Sequence, residues 1–203
     1  HLVTMSYPEC YDPKYKRWSL ETLPFLPKEF KYEVIPSVEK QFKIVSGLLN
    51  RPDVDTIYVC TDSGREGEYI YRLVAQMADV KDKAQKRVWI DSQTEEEILR
   101  GIREAKDETE YDNLSASAYL RAKEDYLMGI NFSRVMSVKY GNLLNDAAGT
   151  KSYTAIAVGR VMTCVLGMVV IREREIRNFV ETPFYRGVGN FFDAEIEGEW
   201  KAV

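Results

Sequence analysis

Between Ser37 and Ala105 the chain switches repeatedly between helical and strand periodicity, and this alternation limits the fold more than any other feature. Val38, Phe42, Val45, Leu48 and Leu49 recur at helical spacing, and Arg51-Pro52-Asp53 ends the pattern. The run 56–61 is β-branched and apolar and predicts a buried strand. Residues 62–66 form a turn, after which Ile70, Leu73, Val74 and Met77 are again helically spaced. A second short strand is predicted at 87–90. Thr94 and Glu97 have capping-box spacing for a helix through Ala105. Short apolar strands separated by helices imply an α/β fold with a parallel sheet flanked by helices.

The flanking segments read differently. Residues 1–6 suggest a strand end. Residues 7–36 are rich in Pro, Tyr and Lys and predict a long surface excursion with one extended piece at 29–35. A nearly continuous helix is predicted over 111–140, a polar Gly-containing loop over 141–152, and another helix over 159–179. Pro183 stops that helix, and 185–203 alternates as extended structure. The predicted organisation is an α/β domain at 1–108, a mainly helical domain at 109–181, and the first strands of an incomplete β domain at 182–203.

Composition removes several classes of function. The longest apolar stretch, 161–171, is shorter than the roughly 20 residues of a membrane-spanning helix, so no membrane is expected. Cys10, Cys60 and Cys164 form no CxxC pair, which argues against a disulfide framework or thiolate zinc site and favours the cytoplasm. His1 is the single histidine. A net charge of −4 argues against wholesale nucleic-acid coating. Residues 111–180 are mildly basic, which suits either a local anion-binding face or an ordinary solvated surface.

The sharpest local feature is Thr61-Asp62-Ser63-Gly64-Arg65-Glu66-Gly67-Glu68, just past the predicted strand. Ligands of open α/β sheets gather at the carboxyl ends of strands. Gly64 and Gly67 permit a sharp turn and close approach. Asp62 and Glu66 offer hard oxygen donors for Mg²⁺, and Arg65 offers a planar fork for phosphate. Together they point to metal-assisted phosphoryl transfer. The same residues also suit a plain helix start, where acids and glycines are common.

At this turn the sequence resembles the Toprim domain of type IA DNA topoisomerases, particularly the topoisomerase III-like branch. Three further stretches follow in the family's order. Residues 88–94 with Ile98 are similar to its second strand and following helix start. Residues 121–131 with Arg134 are similar to its R-A-x-x-D-W-L-x-G-x-N stretch. Residues 158–163 and 170–176 are similar to its S-x-G-R-V-Q-T and E-R-E-x-E-I segments. The resemblance implies an ATP-independent isomerase that cuts one DNA strand through a 5′-phosphotyrosine, passes another strand and reseals, with Mg²⁺ at the acidic cluster and a preference for single-stranded DNA. It implies catalytic roles for Asp62, Arg65 and Glu66, metal binding by Asp62 and Glu66, and DNA contacts by Gly159, Arg160, Thr163 and Arg121. Arg121 and Asp125 are equally compatible with a helix-surface pair.

The match has departures. Gly64 stands where the family's D-x-D-x-E motif has its middle acid, so one ion held by Asp62 and Glu66 is expected. Met162 stands where glutamine is common, and Asp91 where serine is common. The family's Glu- and Lys-bearing first strand is expected to precede His1, and its tyrosine-bearing domain to follow Val203. No tyrosine here stands in a matching motif, so the segment alone is expected to be inactive. Two other readings share these residues: a Toprim-type nuclease or primase-like enzyme, and a non-catalytic nucleic-acid-binding module.

Overall fold

The computed structural model describes residues 1–149, 152–183, 185–191 and 194–200. The chain divides into two compact units, His1–Arg160 and Val161–Val203. The first opens with β1 (Val3–Met5), which pairs antiparallel with β2 (Tyr32–Val34). Helix α1 (Glu39–Leu49), strand β3 (Thr56–Val59), helix α2 (Arg65–Met77), strand β4 (Ala84–Arg87), helix α3 (Glu95–Arg103) and strand β5 (Lys106–Asp107) follow, then the long helix α4 (Asp112–Ala148). Helix α5 (Arg160–Arg177) begins at the last residue of this unit. The second unit carries β6 (Tyr185–Phe191) and β7 (Ala194–Trp200), paired antiparallel. Among the described residues no helix is long and apolar enough to cross a membrane.

The sheet is mixed rather than parallel throughout. β3 and β4 are parallel, with Thr56 opposite Ala84 and Val59 opposite Arg87, but β5 returns antiparallel along the far edge of β4. The second strand lies three residues before its predicted place. The ladder reaches as far as Val88, whose N–H donates to Val59 O at 3.0 Å. Ile90 N–H then turns aside to the Ser63 hydroxyl, 2.9 Å away. The apolar run 88–90 therefore marks the exit from the sheet.

Helix α2 packs two hydrophobic clusters. Leu73, Val74 and Tyr69 join Val3 and Ala118, with Phe42, Val45 and Tyr119 around them. Tyr71 joins Ile57 and Val59 of β3. Thr94 caps α3 by accepting from Glu97 N–H, while the Glu97 carboxylate reaches Asp91 N–H at 3.1 Å instead of closing the box on Thr94.

Helix α4 runs into the predicted loop at 141–152, taking it up through Ala148. Gly141 is buried inside it because the Tyr153 ring lies against the position a side chain would occupy. The Tyr153 hydroxyl donates to Ser137 O at 2.9 Å, and Asn145 holds the Thr154 backbone through both its N–H and C=O. The helix ends at Gly149, whose φ of 62° is the left-handed C-cap conformation that glycine adopts cheaply.

The stretch 7–36 is also more than a surface excursion. Three short 3₁₀ turns lead into Phe25, which is buried. Asn131 of α4 accepts from Phe25 N–H at 2.6 Å and donates to Phe25 O at 3.0 Å. Arg134 donates to Tyr15 O, and the Tyr126 hydroxyl donates to Ser6 O. Asn131→Ala is expected to strand the Phe25 amide and cost about 1–3 kcal/mol, read as a lower urea midpoint with helix content retained in the folded state.

Candidate functional site

The acidic turn follows β3 directly and is pinned from four directions. The Arg87 guanidinium donates to Val59 O (3.1 Å), Thr61 O (2.7 Å) and Asp62 O, carbonyls at and just past the end of β3. The Thr61 hydroxyl donates to Gly67 O at 2.8 Å. Ser63 accepts from Ile90 N–H, and Glu68 N–H closes the first turn of α2 on Gly64 O. Gly67 faces the Asp62 backbone so closely that a Cβ would collide with it. Gly64 differs: its φ of 172° is extended, and a Cβ there meets open space. Of the two glycines, only Gly67 is demanded by close approach.

Behind the turn lies a buried ionic network. Glu68 and Arg87 are both 0% exposed. Glu68 binds Arg87 Nε at 3.1 Å and Arg72 Nε at 2.8 Å. Arg72 also reaches Glu108 at 3.2 Å and Asp112 at 2.9 Å. Burial, and then repulsion from Glu68, pushes the Glu108 carboxyl up to about 7. With Glu108 protonated, the cations Arg72 and Arg87 balance the anions Glu68 and Asp112. The sequence reading gave no role to Glu68, Arg72, Arg87 or Glu108. Its one available signal was the i, i+4 spacing of Glu68 and Arg72.

The expected site residues distribute over two cavities, and the chain passes from one to the other between Ser63 and Gly64. Asp62 lines a cavity of about 210 Å³ with Ser63, Asp91 and Ser92. Arg65 and Glu66 line a second, of about 420 Å³, with Tyr69, Arg121 and Asp125. This cavity joins the start of α2 to the middle of α4, so two stretches far apart in sequence meet there. Asp125 forms an ion pair with Arg160 at 3.0 Å, not with Arg121. Arg65 and Arg121 have no ion pair or hydrogen bond among the described residues. Glu66 lies 3.0 Å from His1 Nε2. A Cβ at Gly159 would meet open space, and Thr163 lies in the first turn of α5 in the second unit.

Among the described residues no three of His, Cys, Asp and Glu gather as metal ligands. The donors at the turn are carboxylates and hydroxyls. They suit a hard cation that takes part of its shell from phosphate and water, as Mg²⁺ does, rather than a closed protein cage.

A family model described as DNA topoisomerase matches residues 109–201. The DNA topoisomerase 3 of Bacillus thuringiensis (strain Al Hakam) is 40% identical over 185 residues, which cover 91% of this chain and 24% of that protein. The chain belongs to the type IA DNA topoisomerase family. The DNA topoisomerase 3 of Bacillus subtilis (strain 168) is 38% identical over the same length. This type IA segment spans about a quarter of the length of these relatives. Full-length topoisomerase I from Thermotoga maritima matches all of the chain with 30% of its own, at a TM-score of 0.62 and 21% identity, a likeness of fold.

Two outcomes are expected from this geometry. Gly67→Ala should cost about 1–3 kcal/mol by overpacking, whereas Gly64→Asp should fold at least as well as the parent, because aspartate favours the N-cap; thermal denaturation compares them. Glu108 holds a proton in the folded state at pH values where the unfolded chain, near 4.5, has lost it. Its contribution to stability is therefore full below that value and is lost as pH rises toward 7. Glu108→Gln should flatten this loss, on the order of 1–3 kcal/mol, in urea titrations at several pH values.

Proposed function

We propose that the protein containing this segment changes DNA topology by transient single-strand cleavage, strand passage and religation. The observation that carries this reading is the meeting of Arg65, Glu66, Arg121 and Asp125 at one cavity, with Arg160 tied to its rim through Asp125. Two guanidiniums without partners among the described residues face this space, a charge arrangement suited to a phosphodiester backbone.

In the proposed reaction a tyrosine oxygen attacks a backbone phosphorus, the 3′ oxygen leaves with the strand end, and the reverse attack restores the original bond. Each step exchanges one phosphate ester for another, so no ATP is consumed. No tyrosine of this segment is assigned as the nucleophile. Arg65 and Arg121 bind the phosphate, and the Asp125–Arg160 pair sets the direction of the Arg160 guanidinium toward the neighbouring backbone. Gly159 leaves room for a strand to approach. Asp62, and Glu66 across the Ser63–Gly64 link, would hold Mg²⁺. When bound, that ion supplies positive charge for the phosphate and the departing 3′ oxygen. Because the proposed reaction cuts and passes one strand at a time, the substrate it calls for is single-stranded DNA.

Fluorescence anisotropy with a labelled oligothymidylate tests the assignment. Arg121→Ala and Arg160→Ala are each expected to weaken binding and to lower the salt slope by about one. Asp62→Asn or Glu66→Gln should remove the response of binding to added Mg²⁺. Unchanged affinity in both arginine variants overturns the phosphate assignment. Plasmid relaxation by this segment alone would overturn the statement that its tyrosines include no nucleophile.

A further inference from the structure

Residues 14–18 read Lys-Tyr-Lys-Arg-Trp, a basic run interleaved with aromatics that the proposed reaction leaves unused. They lie on the 3₁₀ turn Pro13–Lys16 and the extended residue Arg17 that follows it. A cavity of about 550 Å³ opens beside them, lined by Lys14, Arg17, Trp18, Leu20 and Glu21, with Val138 of α4. Trp18 is 40% exposed. Part of its ring is therefore open to a stacking partner.

The indole is nonetheless held in place. The Arg134 guanidinium carbon lies over its ring, 5.4 Å from the centroid. Arg134 is itself only 5% exposed and is anchored by its bond to Tyr15 O at 2.9 Å. The Tyr15 ring packs edge-on against buried Phe25, which Asn131 fixes to α4. The platform is therefore built before any ligand arrives. Lys14 is engaged with Asp12 at 3.2 Å. Lys16 and Arg17 form no ion pair among the described residues. Glu21 is the acid that faces the same space.

We propose that this face is a second contact for single-stranded nucleic acid, with a base stacked on Trp18 and backbone phosphates on Lys16 and Arg17. A ligand that is only anionic, such as an acidic peptide, would use the cations and leave the indole idle. A nucleotide chain uses both, because every base has a π-face and every linkage a negative charge. Arg134 acts as a positioning residue for the ring. The inference rests on the reading that single-stranded DNA is the substrate, but it uses none of the residues at the cavity between α2 and α4.

The whole chain is titrated with a labelled 15-nucleotide oligothymidylate by anisotropy. Trp18→Ala is expected to weaken binding about tenfold, within the range of base–aromatic stacking, and Trp18→Phe to keep most of the affinity. The Lys16→Gln, Arg17→Gln double variant should lower the salt slope by about one to two, and Glu21→Gln should tighten binding. Circular dichroism checks that each variant folds. Should Trp18→Ala fail to fold, Trp18→Phe and the double variant still decide. A Trp18→Ala change below twofold, or an unaltered salt slope in the double variant, overturns the proposal. So does a polyglutamate peptide that displaces the oligonucleotide from parent and Trp18→Ala alike. Arg121→Ala separates the two sites. If it weakens binding while Trp18→Ala does not, this second contact alone fails. If the reverse holds, the second contact stands and the phosphate role of Arg121 falls. No binding by the parent chain overturns both.

Discussion

The fully buried pair of Arg87 and Glu68 is the contact on which the acidic turn depends. Taking two ions out of water costs several kcal/mol each, and their mutual attraction offsets this only when the remaining donors and acceptors are also engaged. Here they are. Arg87 spends its other donors on the Val59, Thr61 and Asp62 carbonyls at the end of β3. Glu68 spends its other oxygen on Arg72. One guanidinium thus closes the carboxyl end of β3, aims the chain into α2, and sets the backbone that carries Asp62.

The long helix plays a different part. Asn131, Arg134 and Val138 present one face to the segment 14–25. Ser133 and Ser137 present another to the returning backbone, accepting from Val158 and Ile156 N–H groups. That second face leads the chain to Arg160, and Asp125 receives it. A single rigid rod therefore sets the separation between the Trp18 platform and the arginines facing α2.

Much of this was legible from the residues. The strand expected at 56–61, which forms at 56–59, and the helix after it carry strong periodicity, and the acids and the arginine of the turn stand where an open sheet places ligands. Other parts were not. β4 spells Ala-Gln-Lys-Arg, because its placement comes from pairing with β3 rather than from its own apolar content. Arg87 looks like a solvated strand end until its distant partner Glu68 is in view. Gly141 reads as a loop residue, yet it is a helical position cleared for the ring of Tyr153. Each of these misreadings has the same origin: the deciding contact lies on a different element from the residue it governs.

The clamp on Phe25 joins residues 106 positions apart, and the bond from Tyr126 to Ser6 spans 120. On a ribosome adding about 5–20 residues per second, the early segment emerges at least several seconds before its anchor exists. During that interval Phe25 has its earlier neighbours Tyr11 and Tyr15 but not its anchor on α4. The order of synthesis thus runs opposite to the order of support: the early stretch is held in place only once α4 is complete.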